Sequence, residues 1–405
     1  MIFTRSQVAI LVGGCVESLA SIRSEVIMRQ RFVAPNIAAW GQYIDELRWR
    51  SGQWGLLGTS AAVQTLAVCD GGVPNHDSTA VIARVRPLLL RDLNGDVPEV
   101  LEPKRAKWDF ENLMRLAFIA ESHALGQTVG RAQRPPIVEH ILACAHGRHY
   151  WGVDSAVAGA SPEDGDVFTT ALVVHALRNF EDPPGELAIY RSWLAERLAT
   201  SPLVRSRPHL VALIGLALQA VHRDPQQPAA IAAGLDRCER ELLRWRRDED
   251  AVVVDRPAFE GYSLPESHGT DYTFVNAEIV SALFFLRKGS PVAARRFVLD
   301  VTDRVHKNVA RHGAFQGQPG MEPTVDQLWA CRLLGLVVET HRSPGHLLVP
   351  RFGTLPWARG GFLMLMVALA VIVTVLTGSG LAGVGAVLAA IFVTVGFSYF
   401  AKPEP

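Results

Sequence analysis

Apolar residues recur at three- and four-residue spacing through most of the chain, as in Ala171, Leu172, Val174, His175, Leu177 and again in Val211, Leu213, Ile214, Leu216, Leu218. That is the period of a helix with a face in a core. Strand-like alternation is scarce. Proline and glycine fall between these runs rather than within them, as at Pro183, Pro184, Gly185 and at Pro225 and Pro228, where they stop one helix before the next begins. The pattern predicts an all-α domain of helical hairpins over residues 1–342.

The pattern changes near the C-terminus. Between Gly360 and Ala401 there is no Asp, Glu, Lys, Arg or His, and an uninterrupted apolar stretch of that length reads as membrane. Two spans are expected, at 361–377 and 381–400, with Gly378, Ser379 and Gly380 as the turn. A linker over 343–360 holds Arg351 and Arg359, and Lys402 follows the second span, so the positive-inside rule places both termini and the globular domain on the cytoplasmic side of the plasma membrane. Trp357 and Tyr399 stand where interfacial aromatics belong. Gly378, Ala382, Ala386 and Ala390 form a small-residue stripe that packs the hairpin or builds a homo-oligomer.

Within the helical part, four segments open alike. Trp54-Gly55 leads to Thr59, Ser60, Ala61; Trp151-Gly152 leads to Asp166 and Thr169, Thr170, Ala171; Phe259 and Gly261 lead to Thr270, Asp271; Gly313 and Phe315 lead to Thr324, Val325, Asp326. The aromatic anchors lie 97, 108 and 56 residues apart, multiples of a unit of about 50 residues, so six or seven helical hairpins fill the domain. An aromatic beside glycine closes a turn, and Asp, Ser or Thr accepts the free amides that open the following helix.

This pattern resembles the repeats of the terpenoid cyclase and protein prenyltransferase superfamily, over residues 53–339. The resemblance implies an alpha/alpha toroid, a closed double ring of paired helices whose inner-helix starts face a central cavity. It implies a cavity mouth with Asp166, Asp271 and Asp326, joined by Trp54, His149, Trp151, Asp154, His268 and Tyr272 as candidate ligand-binding residues. The superfamily's chemistry is not intact. Protonating cyclases use a DxDDTA stretch, because neighbouring carboxyls keep one acid protonated; here Asp166 is followed by Val167, Phe168, Thr169, Thr170, Ala171. Prenyltransferases hold zinc through Asp, Cys and His, but Cys331 stands five residues beyond Asp326, and Cys144, Ala145, His146, Gly147 only grazes the Cys-His-Gly pattern of lanthionine cyclases. No cofactor is expected, with zinc or magnesium as the alternative.

Charge narrows the classes further. Lys plus Arg equals Asp plus Glu at 40 each, so no global field gathers nucleic acid. The basic group Arg244, Arg246, Arg247 runs into Asp248, Glu249, Asp250 and reads as a solvated helix end. Five scattered cysteines form no CxxC pair and read as buried thiols in a reducing compartment. The run Val8 to Val12 is too short for a secretory signal. The densest polar groups, His146 to Tyr150 with Asp154 to Asp166, and Glu266, His268, Asp271, Tyr272, are either a ligand pocket or helix caps and loop charge.

Two functions compete, beside a third in which the ring is a structural membrane scaffold that presents a surface to a protein partner. In the first, the chain is a membrane-anchored, non-catalytic toroid that senses a ligand or protein partner, or acts on the membrane, as effectors of bacterial conflict systems do. In the second, it is a membrane-associated enzyme that processes an isoprenoid-like substrate drawn from the bilayer, with a non-standard active site. Loss of the acid motif favours the first.

Overall fold

The computed structural model describes residues 5–40, 56–70, 76–93, 117, 120–121, 136–143, 145, 150–151, 162–180, 183–205, 207–219, 228–248, 262–263, 271–272, 276–289, 292–315 and 324–342. The chain divides into two compact units, Met1–Arg342 and Ser343–Pro405. The second unit, with both expected spans and the small-residue stripe, lies outside the described residues. Among the described residues no helix is long and apolar enough to cross a membrane.

The first unit is mostly helical. The helices whose bounds fall in the described residues are α1 (Arg5–Met28), α2 (Leu56–Cys69), α3 (His76–Leu93), α4 (Pro136–Ala143), α5 (Pro162–Leu177), α6 (Leu187–Thr200), the short α7 (Pro202–Arg205), α8 (Pro208–Leu218), α9 (Ala229–Asp248), α10 (Ala277–Lys288), α11 (Val292–His312) and α12 (Thr324–Arg342). The basic group at 244–247 falls in the last turns of α9, as a helix end. Among the described residues strands occur as two short antiparallel pairs: β1 (Arg31–Ala34) with β2 (Ile37–Ala39), and β3 (Tyr262–Ser263) with β4 (Asp271–Tyr272). The first pair turns at Pro35 and Asn36, whose φ of 64° is the left-handed conformation that asparagine tolerates.

Two kinds of helix alternate along the chain. In α1 the buried positions are Val8, Leu11, Cys15, Ser18, Leu19, Ile22 and Val26, a single stripe. In α9 they are Ile231, Gly234, Cys238 and Leu242, and α6 and α11 are likewise half-buried. Between them stand helices covered on all sides: α2 over 58–67, α5 over 167–178, α8 throughout, α10 from Ala277 to Leu286 and α12 over 327–334. The covered helices pack on one another in the order α5, α8, α10, α12, α2, while half-buried α6 and α9 meet behind α8, and α11 lies behind α10. The N-terminal α1 closes against α11 and α12.

The covered helices approach closely because small residues stand at their crossings. A β-carbon on Gly215 of α8 would come within 2.5 Å of the Phe284 ring of α10, and one on Gly335 of α12 within 2.9 Å of the Val68 methyl of α2. Helix ends follow local chemistry. Pro208 opens α8, where its fixed φ fits the first turn. Asn276 caps α10 by accepting the Ile279 amide at 3.0 Å, and Gly289 closes it at φ 66°. Asp271, expected at the start of this helix, instead lies with Tyr272 in β4. The cap fell to Asn276 because its side-chain oxygen reaches the third residue of the helix, whereas Asp271 is five positions too early.

Candidate functional site

Two turns of the domain are built alike. The Trp40 amide donates to Thr59 Oγ1 at 3.1 Å, and that hydroxyl donates back to the Trp40 carbonyl at 3.2 Å. Nineteen residues separate the two, as they separate Trp151 and Thr170, which make the same exchange at 3.0 Å in both directions. Each indole N–H then donates to a carbonyl of the preceding element, Trp40 to Val26 at 2.8 Å and Trp151 to Ile141 at 2.6 Å. The equivalent of Trp151 is therefore Trp40; Trp54, chosen from its Trp-Gly pair, lies outside the described residues.

Five residues beyond each anchoring threonine the sequence places a polar side chain, Gln64 in α2 and His175 in α5, in otherwise apolar runs. Both turn up in one buried cluster. Glu121, in a helical stretch with Ala117 and Ala120, is 4% exposed. Its Oε1 accepts from Arg332 Nη2 of α12 at 2.8 Å, from Asn179 Nδ2 at 2.9 Å and from His175 Nδ1 at 3.4 Å. Arg332 Nη2 also donates to Gln64 Oε1 at 2.5 Å. The Arg332 guanidinium lies 4.7 Å from the centre of the Trp329 ring, and the His175 ring meets Trp329 edge-on at 5.5 Å. Behind His175, Arg178 donates to the Leu216 and Gln219 carbonyls at the end of α8, and Gln219 donates to the Phe284 carbonyl. Arg178 thus satisfies carbonyls that a helix end leaves free.

The electrostatics are fixed by burial and by the arginine. Burial alone would raise the Glu121 carboxyl, but Arg332 and the hydrogen bonds around Oε1 outweigh it and bring the pKa down to about 2. Burial, seconded by the charge of Arg178, lowers His175 to about 3 despite Glu121. His175 is accordingly neutral at neutral pH. The carboxylate beside Nδ1 places the proton there, so Nε2 presents a lone pair.

Several buried atoms of this group have no hydrogen-bond partner among the described residues: His175 Nε2, Arg332 Nη1 and Trp329 Nε1, with Gln327 Nε2 and Thr169 Oγ1 on the same two helices. Arginine and indole donate and the imidazole nitrogen accepts, a mixture suited to a small ligand bearing acceptor oxygens and one donor. No group of three metal-ligating side chains occurs among the described residues.

The residues singled out from sequence are distributed differently. Trp151 is fully buried as a turn anchor. Asp166 lies in the first turns of α5, Asp326 in the first turn of α12, and Asp271 and Tyr272 in β4. His149, Asp154 and His268, like Trp54, lie outside the described residues. Of the four side chains that do meet, Gln64, His175 and Arg332 had one visible signal, a polar residue inside an apolar run, whereas Glu121 ends such a run and is followed by Ser122 and His123. Comparison with protein-family models, with curated proteins and with solved structures finds no match to the chain.

Proposed function

We propose that this chain is a membrane-attached alpha/alpha toroid that recognises a small ligand through the buried Glu121, His175 and Arg332 cluster, and acts as a sensor or effector at the membrane. The toroid reading is supported by the alternation of covered and half-buried helices, by the repeated tryptophan–threonine exchange and by the return of α1 onto α11 and α12. Membrane attachment rests on the uncharged stretch between Gly360 and Ala401. The observation that carries the ligand reading is the cluster's set of buried atoms without partners among the described residues: His175 Nε2, Arg332 Nη1 and Trp329 Nε1. Leaving such groups unpaired costs about 1–3 kcal/mol each, which a ligand recovers on binding.

The test is a thermal-shift screen of the full chain in detergent against isoprenoid diphosphates, linear terpenoids, small carboxylates and divalent metals, with product analysis of every hit. A ligand that stabilises the chain, is unchanged afterwards and loses its effect in Arg332→Met supports the sensor. A hit that Arg332→Met binds equally well removes the cluster from recognition.

One observation favours the enzyme reading. A histidine oriented by a carboxylate, with its other nitrogen unpartnered among the described residues, has the geometry of a general base, but at a pKa of about 3 it takes a proton at neutral pH only if the bound substrate raises its basicity. Conversion of a stabilising isoprenoid, abolished in His175→Gln, would establish that reading in place of the first.

A further inference from the structure

The seam between α2 and α12 contains a pair of thiols far apart in sequence. Cys69 ends α2 and is half-buried; Cys331, next to Arg332, is buried in α12. Their sulfurs lie 3.9 Å apart across 262 residues of chain. The helix backbones approach closely nearby: Val68 sits against Gly335, and Arg332 reaches Gln64 across the same seam. Among the described residues the remaining cysteines, Cys15 and Cys238, are buried in α1 and α9.

We propose that Cys69 and Cys331 form a redox-responsive disulfide that staples the first covered helix to the last. A disulfide needs the sulfurs at about 2.05 Å, so the pair has roughly 2 Å to close by rotation of the two side chains. The chemical class of oxidant is a low-molecular-weight disulfide. The Cys69 thiolate attacks glutathione disulfide, one glutathione thiolate leaves, and the Cys69 proton goes to solvent. The Cys331 thiolate then attacks the Cys69 sulfur of this mixed disulfide and expels the second glutathione thiolate. The protein gives up two electrons and two protons; one glutathione disulfide becomes two thiols. The order follows from access: Cys69 reaches solvent, whereas burial, and then the bond with Cys69, push the Cys331 thiol well above its ordinary value.

The bond would fix the seam on which Arg332 is anchored. The inference is independent of any ligand. It is tested on the full chain in detergent, exposed to glutathione disulfide, denatured with an alkylating agent and digested without reduction. The expected product is a peptide linking Cys69 to Cys331, with two of the five thiols protected from alkylation and released by dithiothreitol. In Cys331→Ser the expected product is instead glutathione retained on Cys69. Should that variant not fold, Cys69→Ser must yield no linked peptide and leave Cys331 alkylatable. Five alkylated thiols after oxidation, a lasting glutathione adduct on Cys69 of the unaltered chain, or a link through Cys144 in place of Cys331 would overturn the proposal.

Discussion

Glu121 Oε1 is approached by three donors from two other elements, and one of them is a full positive charge. Removing the carboxylate charge leaves the Arg332 guanidinium buried without its counter-charge, so Glu121→Gln should cost about 3–5 kcal/mol in a urea titration. The double change Glu121→Gln with Arg332→Met should cost less than the sum of the two single changes, because the second removes the charge that the first strands. The pH dependence has a definite sign. His175 titrates at about 3 in the folded chain against an ordinary 6.5, so the unfolded chain binds more protons between those values and stability falls as pH drops from 6.5. Glu121, at about 2 against 4.5, contributes stability that is present above 4.5 and lost as pH falls towards 2. Acid unfolding should therefore begin near pH 6.5 and steepen below 4.5. His175→Gln, which can still donate to Glu121, should flatten the upper part only when midpoints are followed across this range.

At the scale of elements, the two tryptophan–threonine exchanges make a quantitative comparison possible. Thr59→Val and Thr170→Val each remove the same two hydrogen bonds and strand a buried amide and carbonyl, so each should cost about 1–3 kcal/mol, and by similar amounts. A large inequality in chemical denaturation would mean that the two turns are not equivalent units. Gly215→Ala tests the covered seam: its methyl meets the Phe284 ring at 2.5 Å, and overpacking of this kind costs about 1–3 kcal/mol. The helices themselves were legible, since the three- and four-residue spacing of residues such as Ala171, Val174 and His175 survives into buried positions. The opening of α10 was misread at Asp271 because an Asp and an Asn before an apolar run look alike until the side-chain reach of Asn276 is known. Trp40 was missed for a different reason. Its bond to Thr59 spans nineteen residues and leaves no local trace, while the Trp54-Gly55 pair that drew the reading lies outside the described residues.

For the whole molecule, the meeting of Gln64, Glu121, His175 and Arg332 depends on which helices become neighbours, and spacing along the chain does not encode that. Gln64, His175 and Arg332 could each be seen alone as a polar interruption of an apolar run, and their convergence is a property of the packing order α5, α8, α10, α12, α2, to which Glu121 comes from outside those helices. The membrane proposal belongs to this scale as well. The full chain should float with vesicles of anionic and neutral phospholipid, and a chain ending at Pro350 should stay with the soluble fraction; equal partitioning of both would sink the anchor.

The closure of α1 on α11 and α12 also bears on how the protein is made. The stripe from Val8 to Val26 leaves the ribosome before the other described helices, yet two of the surfaces that cover it are among the last of them to be synthesised. At about 5–20 residues per second, roughly 300 residues must follow, which takes roughly 15–60 seconds. Throughout that interval the part of α1 that α11 and α12 cover stays exposed, with α2 as its early neighbour, and the domain's long-range closure is correspondingly slow. A nascent chain stalled before α11 would present a binding site for holdase chaperones that the finished protein lacks.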